Sequence, residues 1–478
     1  MLSKKLLMVS TALGMMAMMA GSAFAEPVVV RLVSGDLQPD DAASERYVKE
    51  IEDGVKAMDG TEIDIQIVPI ATSSYADKLS ALLLGGDIPD LIYFQGGDQK
   101  MVEQGVLADL NPMIANTKYL KNELYGHNVD RMKNYPYLVY DFPPRAPQPV
   151  IRTDWLEKLG GKKPETVEEY TALFQAIHDG DLDGDGTAGN TLGLTAYVNT
   201  NELDDIFNQA FGVTGTWMKD ASGQWIAARV SEQEKAKIAY YADLAAKGLF
   251  DKEYVTNKFD VKEDKFYTGK AGVIFGSSAE TVGIYGGKMA AAHPGEDITL
   301  TLLPVPKGPG GQGLQAVDVS KESRGWAISA VSAPEKQEAA MKVMDFLASP
   351  EGQIVDRMGF DGVHYNKAAD GTVTVTPDMA TWYARFSYAP SFKPPVEWRS
   401  QASLDFLASV NKWFAADNSF VWPADLAPDV DAAENVYRAW VAKFITGEAG
   451  MDQWDAYVAE WNAAGGQKLT DYARTVLK

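Results

Sequence analysis

Between residues 28 and 95 the apolar pattern switches four times between strand-like and helix-like periods. That rhythm constrains the fold more than any other feature of the chain. Val28 to Val33 reads as a strand, and a helix follows near Ala43 to Met58 with Tyr47, Val48, Ile51 and Val55 on one stripe. Ile63, Ile65 and Ile67 alternate with Glu62, Asp64 and Gln66, which gives a strand with one polar face. A second helix carries Leu79, Leu82 and Leu83, and "GGDIPDLIYF" turns back into a strand ending at Phe94. Strands separated by helices predict an α/β fold with a parallel sheet. Ligands of such sheets sit beyond the carboxyl ends of the strands. Ala71 to Tyr75 and Gln95 to Asp98 are therefore a candidate site.

Residues 136–149 are rich in proline and break the rhythm, as a crossing segment or a domain boundary would. Beyond them "DWLEKLGGKKPETVEEYTALFQAI" is helical, with Thr166 and Glu169 spaced as a capping box after Pro164. "AGVIF" reads as a buried strand, "ITLTLLPVPKGPGGQG" as a strand running into a turn, and "APEKQEAAMKVMDFLASPEGQIV" as a pair of helices. From Asp431 to Lys478 the tail is mostly helical, and its Trp440, Trp454 and Trp461 are expected in the core.

The N-terminus stands apart from this pattern. Lys4 and Lys5 precede an apolar run from Leu6 to Ala20, and Ala23-Phe24-Ala25 supplies the small-x-small pattern of a leader cut before Glu26. No cysteine follows the cut, so no lipid anchor is expected. No later apolar run reaches the ~18 residues that span a bilayer. Removing the two leader lysines takes the net charge from -22 to -24. Such acidity disfavours nucleic acid and anionic membranes as partners. It says little against an anionic sugar, because local arginines can outweigh the total.

Several chemistries lack their residues. The chain has no cysteine, and His127, His178, His293 and His364 show no metal spacing. Neither a nucleophile elbow nor a P-loop occurs. Gly308-x-Gly310-x-x-Gly313 matches a dinucleotide fingerprint as text, but Pro309 interrupts it and the next segment reads as loop and strand, so a turn is expected. Aromatic residues are plentiful, and Trp and Tyr stack on sugar faces. Trp217, Trp326, Trp382 and Trp398 fall in or beside loops and short strands.

"DGDLDGDGTAGN", Asp179 to Asn190, sets four aspartates at alternate positions among glycines. Counted from Asp181, oxygens fall at positions 1, 3 and 5, with Gly186 at 6 and Thr187 at 7, as in a calcium loop. Position 12 is Leu192 rather than Glu, so the pattern is not a full EF-hand, and Asn190 is the substitute oxygen. A count from Asp179 is the alternative register, and a solvated acidic turn is the alternative to a metal.

In order along the chain, several phrases resemble extracellular solute-binding proteins of carbohydrate ABC transporters, above all the long type that includes the alginate-binding proteins. They are "LIYFQGGDQKMVEQGVLADLNPMI", "VIRTDWLEKLGGKKPETVEEYTALFQAI", the acidic loop directly after it, "FYTGKAGVIF" and "FITGEAGMDQWDAYVAEWNAAGG". The likeness runs from about residue 28 to 475. Gly189 and Asn190 depart from the two acidic residues that the family carries at the end of the loop.

The resemblance implies a two-lobed periplasmic-binding-protein fold of type II character, with an interlobe cleft and a helical C-terminal region. The first lobe is expected at 26–147 plus 304–362 and the second at 148–303 plus 363–478, after a signal peptide at 1–25. It implies a monomer that binds an oligosaccharide without turnover and docks to the permease subunits of an ABC importer. A secreted polysaccharide-degrading enzyme is the alternative. Expected ligand contacts are Tyr75, Gln95 and Asp98 from the first lobe, with Trp326 in its returning strand. Arg152, Trp217, Ser277, Ser278, Tyr285, Trp398 and Arg399 complete them from the second lobe and crossings. A structural Ca2+ is expected on Asp181, Asp183, Asp185, Thr187 and Asn190.

Overall fold

Eight strands form the two principal sheets of the computed structural model: β1 Val28–Val33, β2 Ile63–Ile67, β3 Leu91–Gln95, β4 Gln148–Arg152, β5 Leu192–Leu194, β6 Ala271–Gly276, β7 Leu300–Leu302 and β8 Arg324–Ile328. The structure describes residues 26–71, 75–133, 135–140, 148–197, 200–276, 279–315, 324–370, 372–376, 378, 401–415, 417–420 and 422–477.

In the first sheet the order is β8-β3-β1-β2. β1 pairs in parallel with β2 and β3, while β8 runs antiparallel to β3, with Arg324 opposite Gln95 and Trp326 opposite Tyr93. The helix Ala42–Asp59 covers it with the expected stripe, Tyr47, Val48, Ile51 and Val55. Asp41 starts that helix by accepting the Ser44 amide at 3.1 Å. The two later helices, Pro334–Leu347 and Pro350–Met358, return to the same lobe and bury Val343, Met344 and Phe346 in its core.

The second sheet has the order β5-β6-β4-β7. β5 and β6 are parallel, and β4 runs antiparallel to both β6 and β7. Its core is continuous with the C-terminal helices Ala427–Thr446, Trp454–Trp461 and Gln467–Val476, and Trp440, Trp454 and Trp461 lie in it as expected. That core also takes in Leu303, Val305 and Leu314. The return to the first lobe therefore falls after residue 315 rather than at 304. The physical reason is a short hairpin, Lys307–Gly308 against Gly311–Gln312, anchored on the second lobe. The Lys307 amide bonds Glu165 O at 2.8 Å and the Gly310 amide bonds Ala210 O at 2.7 Å. A Cβ on Gly310 would lie 1.9 Å from the Gly212 nitrogen, which explains why this turn carries glycine there. The glycine fingerprint is thus a turn.

Candidate functional site

β1, β2 and β3 end on the same edge of the first sheet, and β5 and β6 end on one edge of the second. The antiparallel strands reverse this rule: they present their N-terminal ends at those edges. Arg324 opens β8 beside Gln95, and Gln148 opens β4 opposite Gly276. Arg152, at the far end of β4, pairs with Leu300 and lies on the opposite edge of the sheet. Its Nε and Nη2 hold Asp154 at 3.0 and 2.9 Å, and its guanidinium lies 5.2 Å from the Trp155 ring. Arg152 is therefore a brace for a helix start, which corrects its assignment to the ligand.

Four aromatic candidates are also core side chains. Tyr75 is 4% exposed and its hydroxyl donates to Tyr93 O at 2.6 Å; Trp326, 1% exposed, packs on the Tyr93 ring at 5.2 Å. Tyr285 donates to Phe275 O at 3.1 Å between Phe266 and Tyr267. Trp217 stacks on Phe420 at 5.9 Å, and Asn418 clamps its backbone from both sides. Each is a large apolar group whose burial supplies about 1.5–3 kcal/mol, and that tertiary gain overrides the loop-like look of its sequence neighbourhood. Ser277, Ser278, Trp398 and Arg399 lie outside the described residues, as does Trp382.

Gln95 is exposed at the end of β3, and buried Asp98 follows it at the start of the next helix. Burial raises the Asp98 carboxyl, and the Tyr137 hydroxyl and the Arg131 charge pull it back. Arg131 is fully buried; it donates to Leu138 O at 3.1 Å and to Arg324 O, with Tyr135 and Tyr140 on its faces. These contacts hold the strand end that carries Arg324.

The second lobe contributes residues that the sequence reading missed. Tyr197 stands three residues beyond β5 and meets the ring of Phe259 edge-on at 5.6 Å. Phe259 is 49% exposed. Behind both rings, Lys262 is completely buried; its ammonium lies 5.3 and 4.4 Å from them and bonds both Glu202 oxygens at 2.9 Å. Burial, then Glu202, push the Tyr197 phenol up, while Arg324 of the other lobe lowers it. Arg324 is thus one of the charges that act on the Tyr197 phenol. The available sequence signal was position alone: "TAY" directly follows the β5 strand.

At the acidic loop, the carboxylates of Asp181, Asp183 and Asp185 bring oxygens within 4.8 Å of one another. The Gly186 amide donates to both Asp181 oxygens at 3.2 and 3.1 Å, and the Thr187 amide to Asp185 at 2.7 Å. Gly186 has φ +85°, a conformation that favours glycine. Asn190 is drawn in too, its amide donating to Asp185 at 2.8 Å. Ca2+ takes oxygens at 2.3–2.6 Å, so ligands on opposite sides of the ion stand about 5 Å apart, and the triad has the right span. Leu182 is buried between the first two aspartates and anchors the loop to the second core.

Residues 35–354 match the family of bacterial extracellular solute-binding proteins. The polygalacturonan/rhamnogalacturonan-binding protein YtcQ of Bacillus subtilis is 25% identical over 458 residues, 89% of this chain and 86% of its own. Among solved structures, alginate-binding protein AlgQ2 without calcium ion superposes with a TM-score of 0.64 at 17% identity, covering 94% of this chain and 97% of that one. An EF-hand mutant of the Streptococcus pneumoniae ABC-transporter substrate-binding protein FusA, in complex with fructo-nystose, gives 0.65 at 17% identity, covering 94% and 98%. These structures share the two-lobed fold.

Proposed function

The chain belongs to the bacterial extracellular solute-binding protein family, and from that premise we propose that it captures an oligosaccharide between its lobes and delivers it unaltered to an ABC permease. The observation that carries this reading is an aromatic wall beyond the end of β5, Tyr197 against the half-exposed Phe259, with the Arg324 charge of the other lobe acting on the Tyr197 phenol. A sugar ring asks for those two kinds of group: a flat apolar surface for its C–H face and directional donors for its oxygens. Arginine also matches a carboxylate with two parallel hydrogen bonds. Together with YtcQ as a relative, this makes uronate-bearing oligosaccharides the first ligands to test.

The test titrates the mature chain with oligogalacturonides and with neutral fructo- and malto-oligosaccharides, following heat and product together. One ligand is expected to bind saturably and be recovered intact. Phe259→Ala should then weaken it by roughly 1–3 kcal/mol, the scale of burying one large apolar side chain. Steady release of cleaved sugar would refute binding without turnover.

Residues 1–25 are the export leader in this reading, and the mature protein begins at Glu26 and works as a monomer outside the cytoplasm. The acidic loop binds one structural Ca2+ through Asp181, Asp183 and Asp185, with the Thr187 carbonyl and the Asn190 side chain completing the oxygens. Support comes from the converging carboxylates, and from two structural neighbours, AlgQ2 without calcium ion and the EF-hand mutant of FusA.

A further inference from the structure

The chain leaves the first core after Val139 and is in the second by Val150; it leaves the second after Leu314 and is back in the first by Trp326. The first-lobe ends of these two passages lie side by side. Val139 and Trp326 exchange backbone hydrogen bonds at 2.9 and 2.8 Å in an isolated antiparallel bridge. The approach is so close that a Cβ on Gly325 would stand 2.6 Å from Val139 O, which explains the glycine.

One side chain ties the same two ends a second time. Arg131 closes the short helix Gly126–Arg131 and is fully buried. Its Nη1 donates to Leu138 O at 3.1 Å and its Nη2 to Arg324 O. Leu138 directly precedes Val139, and Arg324 opens the strand that carries Trp326. Tyr135 and Tyr140 place their rings 5.2 and 5.7 Å from the guanidinium. Three consecutive residues are thus held by three partners: Tyr137 by Asp98, Leu138 by Arg131 and Val139 by Trp326.

A charge placed beyond the reach of water is costly, and filling space at a helix end asks only for an apolar side chain. What a guanidinium adds is a planar fork that holds two carbonyls in fixed directions while aromatic rings cover its faces. We infer that Arg131 is a positioning residue for ligand capture: it locks the first-lobe ends of both passages to each other, and Arg324 with them. Arg324 then meets the ligand from a fixed place on the first lobe. Without the lock, part of the binding energy would go into ordering the start of its strand.

The first test needs no ligand. It compares backbone hydrogen exchange in the native mature protein, Arg131→Met and Arg131→Lys. Arg131→Met should speed exchange about tenfold or more at residues 138–140 and 324–326, with β1 and the second lobe unchanged. Arg131→Lys keeps a charge near Asp98 but loses the fork, and should show the same pattern more weakly. If Arg131→Met misfolds, Arg131→Lys carries the decision. Unchanged protection at both ends, or protection lost evenly across the first lobe, would overturn the inference. The second test rests on the reading of the cleft given above and uses trigalacturonate. Arg131→Met and Arg324→Ala should each weaken its binding, and the double variant should bind no more weakly than Arg324→Ala, because one residue acts through the other. Additive losses would overturn the inference as well. A native protein that binds no trigalacturonate counts against the uronate reading, and hydrogen exchange then decides the role of Arg131 alone.

Discussion

His364 accepts the Phe360 amide on Nδ1 at 2.9 Å and is only 8% exposed. Burial lowers its pKa, with Arg46 adding to the effect and Asp378 opposing it. A lowered histidine is neutral in the folded state while the unfolded chain still takes a proton near pH 6.5. The unfolded state then binds more protons, so stability is complete above that value and falls as pH drops through it toward the folded pKa. His364→Asn keeps an acceptor for the Phe360 amide and removes the titration. Chemical unfolding between pH 7 and 5 should therefore show a shallower loss for the variant than for the native protein. Identical slopes would remove His364 from the acid response.

At the scale of elements, one helix and its loop set the geometry of the acidic site. The helix Val167–Asp179 begins at Thr166, whose hydroxyl accepts the Glu169 amide at 3.2 Å. The reciprocal half of the expected box is shared: the Glu169 carboxylate takes the Glu165 amide at 2.7 Å, and the Thr166 amide also helps to hold that carboxyl below its usual range. Thr166→Ala should lower stability by about 1 kcal/mol, read from urea midpoints at unchanged slope. At the other end of the helix, the Gly189 amide returns to His178 O at 2.8 Å and closes the loop. Three carboxylates so close repel one another, and a cation relieves that repulsion. Calcium at tenfold over a Kd of about 10⁻⁴–10⁻³ M should add about 1.4 kcal/mol. Asp183→Ala should abolish this calcium-dependent rise in melting temperature. A native protein that melts identically in calcium and in chelator, with no metal in elemental analysis, would mark the loop as a solvated turn.

The described residues fall into two large cores, one in each lobe, and a two-lobed molecule of this kind is expected to close. A ligand touching Arg324 on one lobe and Phe259 on the other binds the closed form more tightly than the open one, and the population shifts by that difference. Solution scattering at saturating oligosaccharide should show a smaller radius of gyration than the free protein. Phe259→Ala should shift the concentration needed, not the final value. An unchanged radius at saturation would indicate a rigid cleft.

Local periodicity by itself determined the strand and helix order, because alternation and the 3.6-residue stripe are properties of neighbouring residues. Val28–Val33, Ile63–Ile67 and the stripe of Tyr47, Val48, Ile51 and Val55 came out as read. The acidic loop was legible for the same reason, since its oxygens lie within a few residues of each other. Gln95 and Asp98 lie at and just beyond the carboxyl end of β3, where the rule for parallel strands put them. Strand direction is not written in an apolar run, so Arg152 was assigned to the wrong edge, and Arg324 was missed at the start of an antiparallel strand. Nor does composition distinguish a Trp that stacks on a ligand from one that stacks on Phe420, because burial is decided by residues some 200 positions away. Those long-range choices belong to the tertiary structure, where a contact's free energy depends on which distant surfaces come together.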